Sequence, residues 1–317
     1  MAQSAPMRNA TLRQLKVFET AARHLSFSRA AQELHLTQPA VSTQIKLLQQ
    51  HAGQPLFEQL GKKMYLTPAG DELLRYSRAI IELFRQAGEA MAARQGASGG
   101  TLNVAVISAG DSFFPQLLAQ FARTTPGVKL NLGVFNRQQL LQQLADNLTD
   151  LAIMVRPPRE LDTVAAPFAP HPYVIVAPPD HPLARRRRIA LGTLLGEPWL
   201  TRERGSDTWN SMEDGFGAQL AKLNIAMEIR STETIKQAVI AGLGLSFLSA
   251  HTIGRELAMR QLAVLDVVGF PLQLQWYVVH LRAKVLAPVA TAFKAFLLQR
   301  GAALIAEVTR APRARRR

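Results

Sequence analysis

The sequence predicts an α/β protein: an all-helical amino-terminal module, a long connecting helix and a two-lobed α/β region. Three observations carry that expectation. Up to about residue 94 the apolar residues recur at helical spacing. From Thr101 onward, runs rich in Val, Ile and Leu alternate with helical patterns, as in a sheet built through crossovers. Between the two regimes lies GASGG, residues 96–100, which reads as a flexible hinge. A hydrophobic content of 48% over 317 residues is ample for two or three folded domains.

The first helix begins at Thr11 and sets Leu12, Leu15, Phe18 and Ala22 on one face. Two short helical patterns follow within FSRAAQELHLTQPAVSTQIK, residues 27–46. Ser26 caps the first, whose apolar face is Phe27, Ala30, Ala31 and Leu34, and the pattern closes around His35 and Leu36. Thr37 restarts it. Pro39 sits in the first turn, where its missing N–H has no intrahelical partner to lose, and Ala40, Val41, Ile45 and Leu48 form the buried stripe. Two helices joined by so tight a turn must cross steeply, which is helix-turn-helix geometry. An ordinary helical hairpin in a core has the same spacing. The outer face, however, carries Gln38, Ser42, Thr43 and Lys46, side chains able to bond base edges or phosphates.

After a stop at Gly53, residues 56–67 read as a two-stranded wing with Gly61, Lys62 and Lys63 at its tip, suited to sequence-tolerant contacts with a nucleic-acid backbone. The next helix runs to about Arg94. Along it Leu73, Ser77, Ile80, Phe84, Ala87 and Met91 recur at alternating spacings of four and three, a seam that calls for a second copy of the same helix. The run AAQELHLTQPAVSTQIKLL, followed by PLFEQ and LTPAG, resembles the amino-terminal domain of LysR-type transcriptional regulators. The resemblance implies major-groove reading by Gln38, Pro39, Ser42 and Thr43, with Thr37, Lys46, Lys62 and Lys63 on phosphates and Ser26 and Ser28 among the DNA-contacting residues. Many members of the family carry Arg where Gln59 stands, so one expected phosphate or minor-groove contact is missing.

In the second part the predicted order is a strand at TLNVAVI, a helix over residues 112–127, strands at VKLNLGVF and TDLAIMV around a helix at RQQLLQQLADN, then strands at YVIVA, PWLTRE, MEIRS and SFLSA. TETIKQAVIAGLG is the helix before SFLSA; LQWYVVH and a final helix ending near Arg300 return the chain to the first lobe. Two parallel-sheet lobes joined by crossing strands resemble the effector domain of the same family, which is built like a periplasmic solute-binding protein. The expected boundaries are a flexible start at 1–10, a winged helix-turn-helix at 11–69, a linker and dimerisation helix at 70–95, a hinge at 96–100, an effector domain at 101–303 and a basic tail at 304–317. Lobe I takes 101–165 and 268–303, and lobe II takes 166–267.

Ligands of open parallel sheets collect at strand carboxyl ends and helix amino termini, where free N–H groups favour anions. That places Ser108, Arg156, Arg202, Gly205, Ser206, Thr208 and Thr234 around one cleft as candidate effector contacts. Each one alone is equally well a helix cap or a surface ion pair. HLTQPAVS, RPPRELD, STETIKQAVIAGLG, LSAHT and LDVVGFP look similar to the regulators of Calvin-cycle carbon-fixation operons, the CbbR type, which implies a phosphorylated sugar or related metabolite as effector. That group usually reads Gly-Ser-Gly-Thr-Arg where this chain has Gly205-Ser206-Asp207-Thr208-Trp209, a change expected to favour a less anionic effector.

Charge is local. The formal balance is +14, from 37 Lys and Arg against 23 Asp and Glu. Residues 1–97 hold 12 basic against 7 acidic residues, a net of +5; four arginines lie at 185–188 and five in the last eight residues. The two arginine clusters read as an exposed loop and a solvated tail. With no cysteine there is no disulfide, thiolate metal site or thiol nucleophile, as in a reducing cytoplasm. The start of the chain lacks a secretory layout, and the uncharged run at 237–254 carries too many polar and glycine residues for a membrane span. The seven histidines form no close ligand pair, and no phosphate-cradling loop appears. GASGG satisfies the G-x-S-x-G pattern but follows a helix and precedes a strand, the reverse of a nucleophile elbow. The expected protein is a cytoplasmic, non-enzymatic regulator without a cofactor, acting as a homodimer or homotetramer. Its partners would be promoter DNA and a small metabolite, with RNA polymerase a further candidate and no membrane. Two readings stay open beside it: a regulator of an unrelated operon, and a solute-binding or enzymatic domain fused to a DNA-binding module.

Overall fold

The computed structural model describes residues 7–61, 63–94 and 99–309. The chain divides into two compact units, residues 1–96 with 146–148, and residues 97–145 with 149–317.

The first unit comprises α1 (Leu12–His24), α2 (Phe27–Glu33), α3 (Gln38–Ala52), a hairpin of β1 (Phe57–Leu60) and β2 (Lys63–Leu66), and α4 (Pro68–Arg94). Thr11 caps α1 through a reciprocal exchange with Gln14, Ser26 caps α2 by accepting from Arg29 N, and Thr37 caps α3 by accepting from Ala40 N. The chain leaves α2 through His35 at φ 54°, and α3 ends at Gly53 at φ 70°. Phe18, Ala30, Val41, Ile45, Leu48 and Leu56 are buried together, with Phe57 edge-on to both Phe18 and Phe27. The Thr67 hydroxyl donates to Pro55 O and accepts from Gly70 N; a Cβ at Gly70 would lie 2.1 Å from Leu56 O, so the helix entry demands glycine there.

Three expectations are corrected here. Residues 7–10 are docked, with Met7 N donating to His51 O and Ala10 N to Met7 O, so the flexible start ends earlier than residue 10. The linker helix starts at Pro68, as the Pro68-Ala69-Gly70 run indicates, so the domain boundary drawn at 69/70 falls inside it. The α4 seam is corrected at its start: Ser77 is buried and Leu73 packs against the unit's own core, while Ile80, Phe84 and Met91 of the expected seam are exposed together with Tyr76 and Leu83.

The second unit contains β3 (Gly100–Ile107), α5 (Phe114–Thr124), β4 (Val128–Phe135), α6 (Arg137–Ala145), β5 (Leu151–Met154), β6 (Thr163–Ala177), β7 (Pro198–Thr201), α7 (Asp207–Phe216), β8 (Asn224–Glu228), α8 (Thr232–Ile240), β9 (Leu245–Ser249), α9 (Gly254–Ala258), β10 (Ala263–Val264), β11 (Leu272–Leu281) and α10 (Pro288–Val308). The strands form one mixed sheet in the order β4-β3-β5-β11-β6-β9-β7-β8, with β10 beside β6. Within each lobe the pairing is parallel, β3 with β4 and β5, and β7 with β8 and β9. The lobes are joined by β6 and β11, antiparallel from Leu272 opposite Tyr173 to Leu281 opposite Thr163.

Two expectations about this unit are corrected. Of the hinge at 96–100, residues 96–98 lie outside the described residues, but Gly100 already belongs to β3, and a Cβ at Gly99 would lie 2.5 Å from Gly127 O. The basic tail expected from residue 304 begins in a helix instead: α10 continues to Val308 because Leu304 and Ile305 are buried. Residues 310–317, with the terminal arginines, lie outside the described residues.

By length and composition α10 is the one helix among the described residues that could cross a membrane, yet it packs on lobe I. Phe293 lies 6.1 Å from Phe114 and 4.9 Å from Phe121 between ring centroids, and Gly301 lets the helix close on Phe168. Replacing fully buried Phe293 with Ala is therefore expected to cost about 3–5 kcal/mol, read as a lowered urea midpoint of the second unit's transition.

Candidate nucleic-acid interface and inter-lobe cleft

On α3, Val41, Ile45 and Leu48 face the core, which turns the opposite side outward. Gln38, Pro39, Thr43 and Lys46 are exposed and Ser42 is half-buried beside them. The Thr43 hydroxyl donates to Pro39 O at 2.9 Å, leaving its oxygen free to accept. Ser28 is exposed on α2, whereas the Ser26 and Thr37 oxygens are engaged as caps. Lys63 is exposed at the start of β2, and Lys62 lies outside the described residues. Gln59, standing where an Arg was expected, donates to Gly61 O at 3.0 Å and so closes the wing turn. Behind this face Glu33 accepts from Arg23 at 3.1 Å and contacts His24 at 2.6 Å; hydrogen bonds from Arg23 and then His24 hold its carboxyl down to about 2.

In the second unit the predicted residues converge unevenly. Ser108, in the turn after β3, accepts from Arg202 at 3.1 Å, and Arg202, just after β7, is only 3% exposed at its side chain. Its other partners are Thr232 at 3.0 Å and Glu203 at 2.8 Å. Arg156, after β5, reaches across to Ser211 at 3.4 Å and Asp214 at 2.6 Å on α7. Ser206 caps α7, accepting from Trp209 N and donating to Glu203 O, and Gly205 supplies the turn before it at φ 82°. Thr208 is buried in the first turn of α7 and faces the Tyr173 phenol, whose pKa is pushed up by burial and by the Asp207 carboxylate. Thr234 is exposed on α8, while Thr232, the first residue of that helix, accepts from Arg202 at 3.0 Å.

Arg137 and Asp207 were not among the expected residues. Arg137, at the start of α6 in lobe I, donates to Asp207 Oδ1 at 3.0 Å and to Arg156 O at 2.8 Å. Burial pushes the Asp207 carboxyl up, and Arg137 pulls against that. In the sequence Arg137 is only the first residue of a helical pattern, and the acid at 207 is the one signal that could have pointed to a cation across the cleft. An open part of the cleft, about 390 Å3, is bordered by Asn136 and Gln138 of lobe I and by Arg204, Ser206, Glu228 and Arg230 of lobe II.

At the crossing strands His171 stacks on Trp276 at 4.1 Å and on His251 at 5.4 Å, while the Trp276 indole donates to His251 Nδ1 at 3.2 Å. His171 Nε2 meets Ser249 Oγ at 2.7 Å, and Phe113 lies edge-on to Trp276 and His251. These histidines are structural, held neutral by burial.

A model described as a bacterial regulatory helix-turn-helix protein of the lysR family matches residues 12–71, and one described as the LysR substrate binding domain matches residues 95–302. The chain belongs to the LysR family of transcriptional regulators. It is similar to a RuBisCO operon transcriptional regulator of Allochromatium vinosum, 47% identical over 292 residues, which is 92% of this chain and 97% of that protein. The regulator CbbR of Rhodospirillum rubrum is 48% identical over 286 residues, 90% of this chain and 95% of that one. Among solved structures, the regulatory domain of Synechocystis CcmR in complex with 2-PG aligns with a TM-score of 0.61 at 36% identity, covering 63% of this LysR-family chain and 96% of that domain.

Burial lowers His171 well below the usual imidazole value and His251 to about 4. Between about pH 6.5 and 4 the unfolded chain therefore binds protons that the folded regulator refuses. Stability is full above that window and falls as pH is lowered through it. Thermal melts between pH 7.5 and 4.5 should show this decline, and His251→Gln, which can still accept from the Trp276 indole, should make it shallower.

Proposed function

We propose that this LysR-family chain is a cytoplasmic, homodimeric or homotetrameric regulator of a carbon-fixation operon. It reads promoter DNA with α3 and is controlled by a small anionic metabolite bound between the lobes. The observation that carries this is the near full-length likeness to RuBisCO operon regulators, with a family match on each unit. The metabolite class is supported by the 2-PG complex of the related CcmR domain and by Arg137, Arg156 and Arg202 converging on the cleft. The chain does no chemistry on its effector; binding biases the equilibrium between subunit arrangements. Activation through RNA polymerase is the corresponding output.

In this reading Gln38, Pro39, Ser42 and Thr43 face base edges in the major groove, and Thr37, Lys46, Lys62 and Lys63 lie along phosphates, with Ser26 and Ser28 at the backbone of the flanking turn. Gln38→Ala and Ser42→Ala should each reduce the discrimination between operator and random DNA by about 1–3 kcal/mol per lost base contact, whereas Lys63→Ala should weaken both alike and flatten the salt dependence. Fluorescence anisotropy at two salt concentrations reads this; equal loss on both DNAs for the Gln38 and Ser42 variants would remove α3 from base recognition.

The exposed stripe of Tyr76, Ile80, Leu83, Phe84 and Met91 on α4 is the matching surface for a second copy. Leu83→Glu with Phe84→Glu should shift the sedimenting species to the monomer and lower operator affinity at least tenfold. For the effector, thermal shift with 2-phosphoglycolate, phosphoenolpyruvate, sugar phosphates and uncharged analogues is decisive: stabilisation by the uncharged set alone would overturn the anionic class.

A further inference from the structure

Three arginines at the meeting of the lobes, Arg137, Arg156 and Arg202, are each met by a carboxylate of lobe II. Arg202 pairs with Glu203 at 2.8 Å, Arg156 with Asp214 at 2.6 Å and Arg137 with Asp207 at 3.0 Å. The three pairs are not equivalent. Glu203 is adjacent to its arginine in sequence and spans nothing. Asp214 is 61% exposed, so water competes for Arg156. Asp207 is 4% exposed, sits on lobe II and holds a lobe I arginine. Its second oxygen, Oδ2, is buried without a hydrogen-bond partner.

A buried carboxylate with one oxygen unsatisfied is retained in the folded state only through the cation it faces. Arg137 is fixed in turn by its bond to Arg156 O, so its guanidinium is held already oriented toward Asp207. Asp207 thus occupies the place that the anionic group of a small molecule would take, on the cation that such a group would seek. It is also delivered by the amino-terminal turn of α7, where the helix dipole favours negative charge.

We propose that Asp207 is a built-in anion: its carboxylate bridges to Arg137 and holds the lobes closed without ligand, and a carboxylate- or phosphate-bearing effector must displace it to reach that arginine. The proposal rests on the reading of the cleft as an anionic-effector site. It makes Asp207 a determinant of both effector affinity and the ligand-free population. Removing the carboxylate while keeping its shape should open the empty cleft and, at the same time, strengthen anion binding.

The chain has no cysteine, so labels can be placed cleanly in the full-length protein. Gln142→Cys on α6 and Lys222→Cys after α7 are exposed positions on the two lobes, and pulsed electron paramagnetic resonance reads the distance between spin labels attached there. Without ligand the parent should give one narrow short distance, and Asp207→Asn and Arg137→Gln should each add a longer, broader population. Calorimetry with 2-phosphoglycolate should show at least a tenfold gain in affinity for Asp207→Asn, with the short distance restored at saturation. An unchanged ligand-free distance in either variant overturns the bridge even if the anion binds, leaving the effector reading intact. Equal or weaker anion binding by Asp207→Asn overturns the displacement. No binding of 2-phosphoglycolate, phosphoenolpyruvate or inorganic phosphate to any variant overturns the anionic-effector reading and the displacement with it. If Asp207→Asn does not fold, Arg137→Gln still decides the bridge by its ligand-free distance.

Discussion

The antiparallel pairing of β6 with β11 is the constraint on which the second unit depends. Every other strand contact in a lobe is made within that lobe, so these two strands alone carry the chain between them and set the angle at which the lobes face each other. The pairing is reinforced by side chains rather than left to the ladder. His171 and Trp276, one from each strand, stack face to face, and Phe113 and His251 clamp the stack from the two lobes. Burial keeps both imidazoles neutral, which lets them stack without mutual repulsion.

With the hinge fixed, the carboxyl ends of β3, β5 and β7 face the same gap, and the polar residues that follow them meet across it. Ser108, Arg156 and Arg202 come from three separate crossovers and share no sequence neighbourhood. Their convergence follows from parallel pairing within each lobe, which puts all the carboxyl ends on one side. The amino-terminal unit uses the same economy of position: the small core of α1, α2 and α3 buries one face of α3 and leaves Gln38, Ser42 and Lys46 outward.

The places where pattern reading fell short have specific causes. The first half of β6 was invisible because Pro167, Pro170 and Pro172 argue against a strand. They are accommodated because β6 has β11 alone beside it there, and pairing to β9 begins only at Tyr173. The final helix was cut near Arg300, although burial of Leu304 and Ile305 carries it on to Val308. The α4 seam was right at Ile80, Phe84 and Met91 but wrong at its start, since Leu73 and Ser77 fit the repeat yet are claimed by the helix's own unit. That Thr232, and not Thr234, meets Arg202 could not be read from the sequence, because spacing cannot say which of two threonines in a first turn points at a guanidinium.

The sequence by itself determined the order of elements, the family and the outward face of the recognition helix, since these follow from local periodicity, capping residues and contiguous motifs. It also flagged position 207, where an acid stands in a loop expected to bind an anion. Only the tertiary structure decided what that acid does. Arg137 is seventy residues away in the chain, and nothing local to either residue specifies the pair. Long-range ion pairs of this kind exist only once the hinge strands have brought two lobes face to face, so their partners are set by topology and not by sequence neighbourhood.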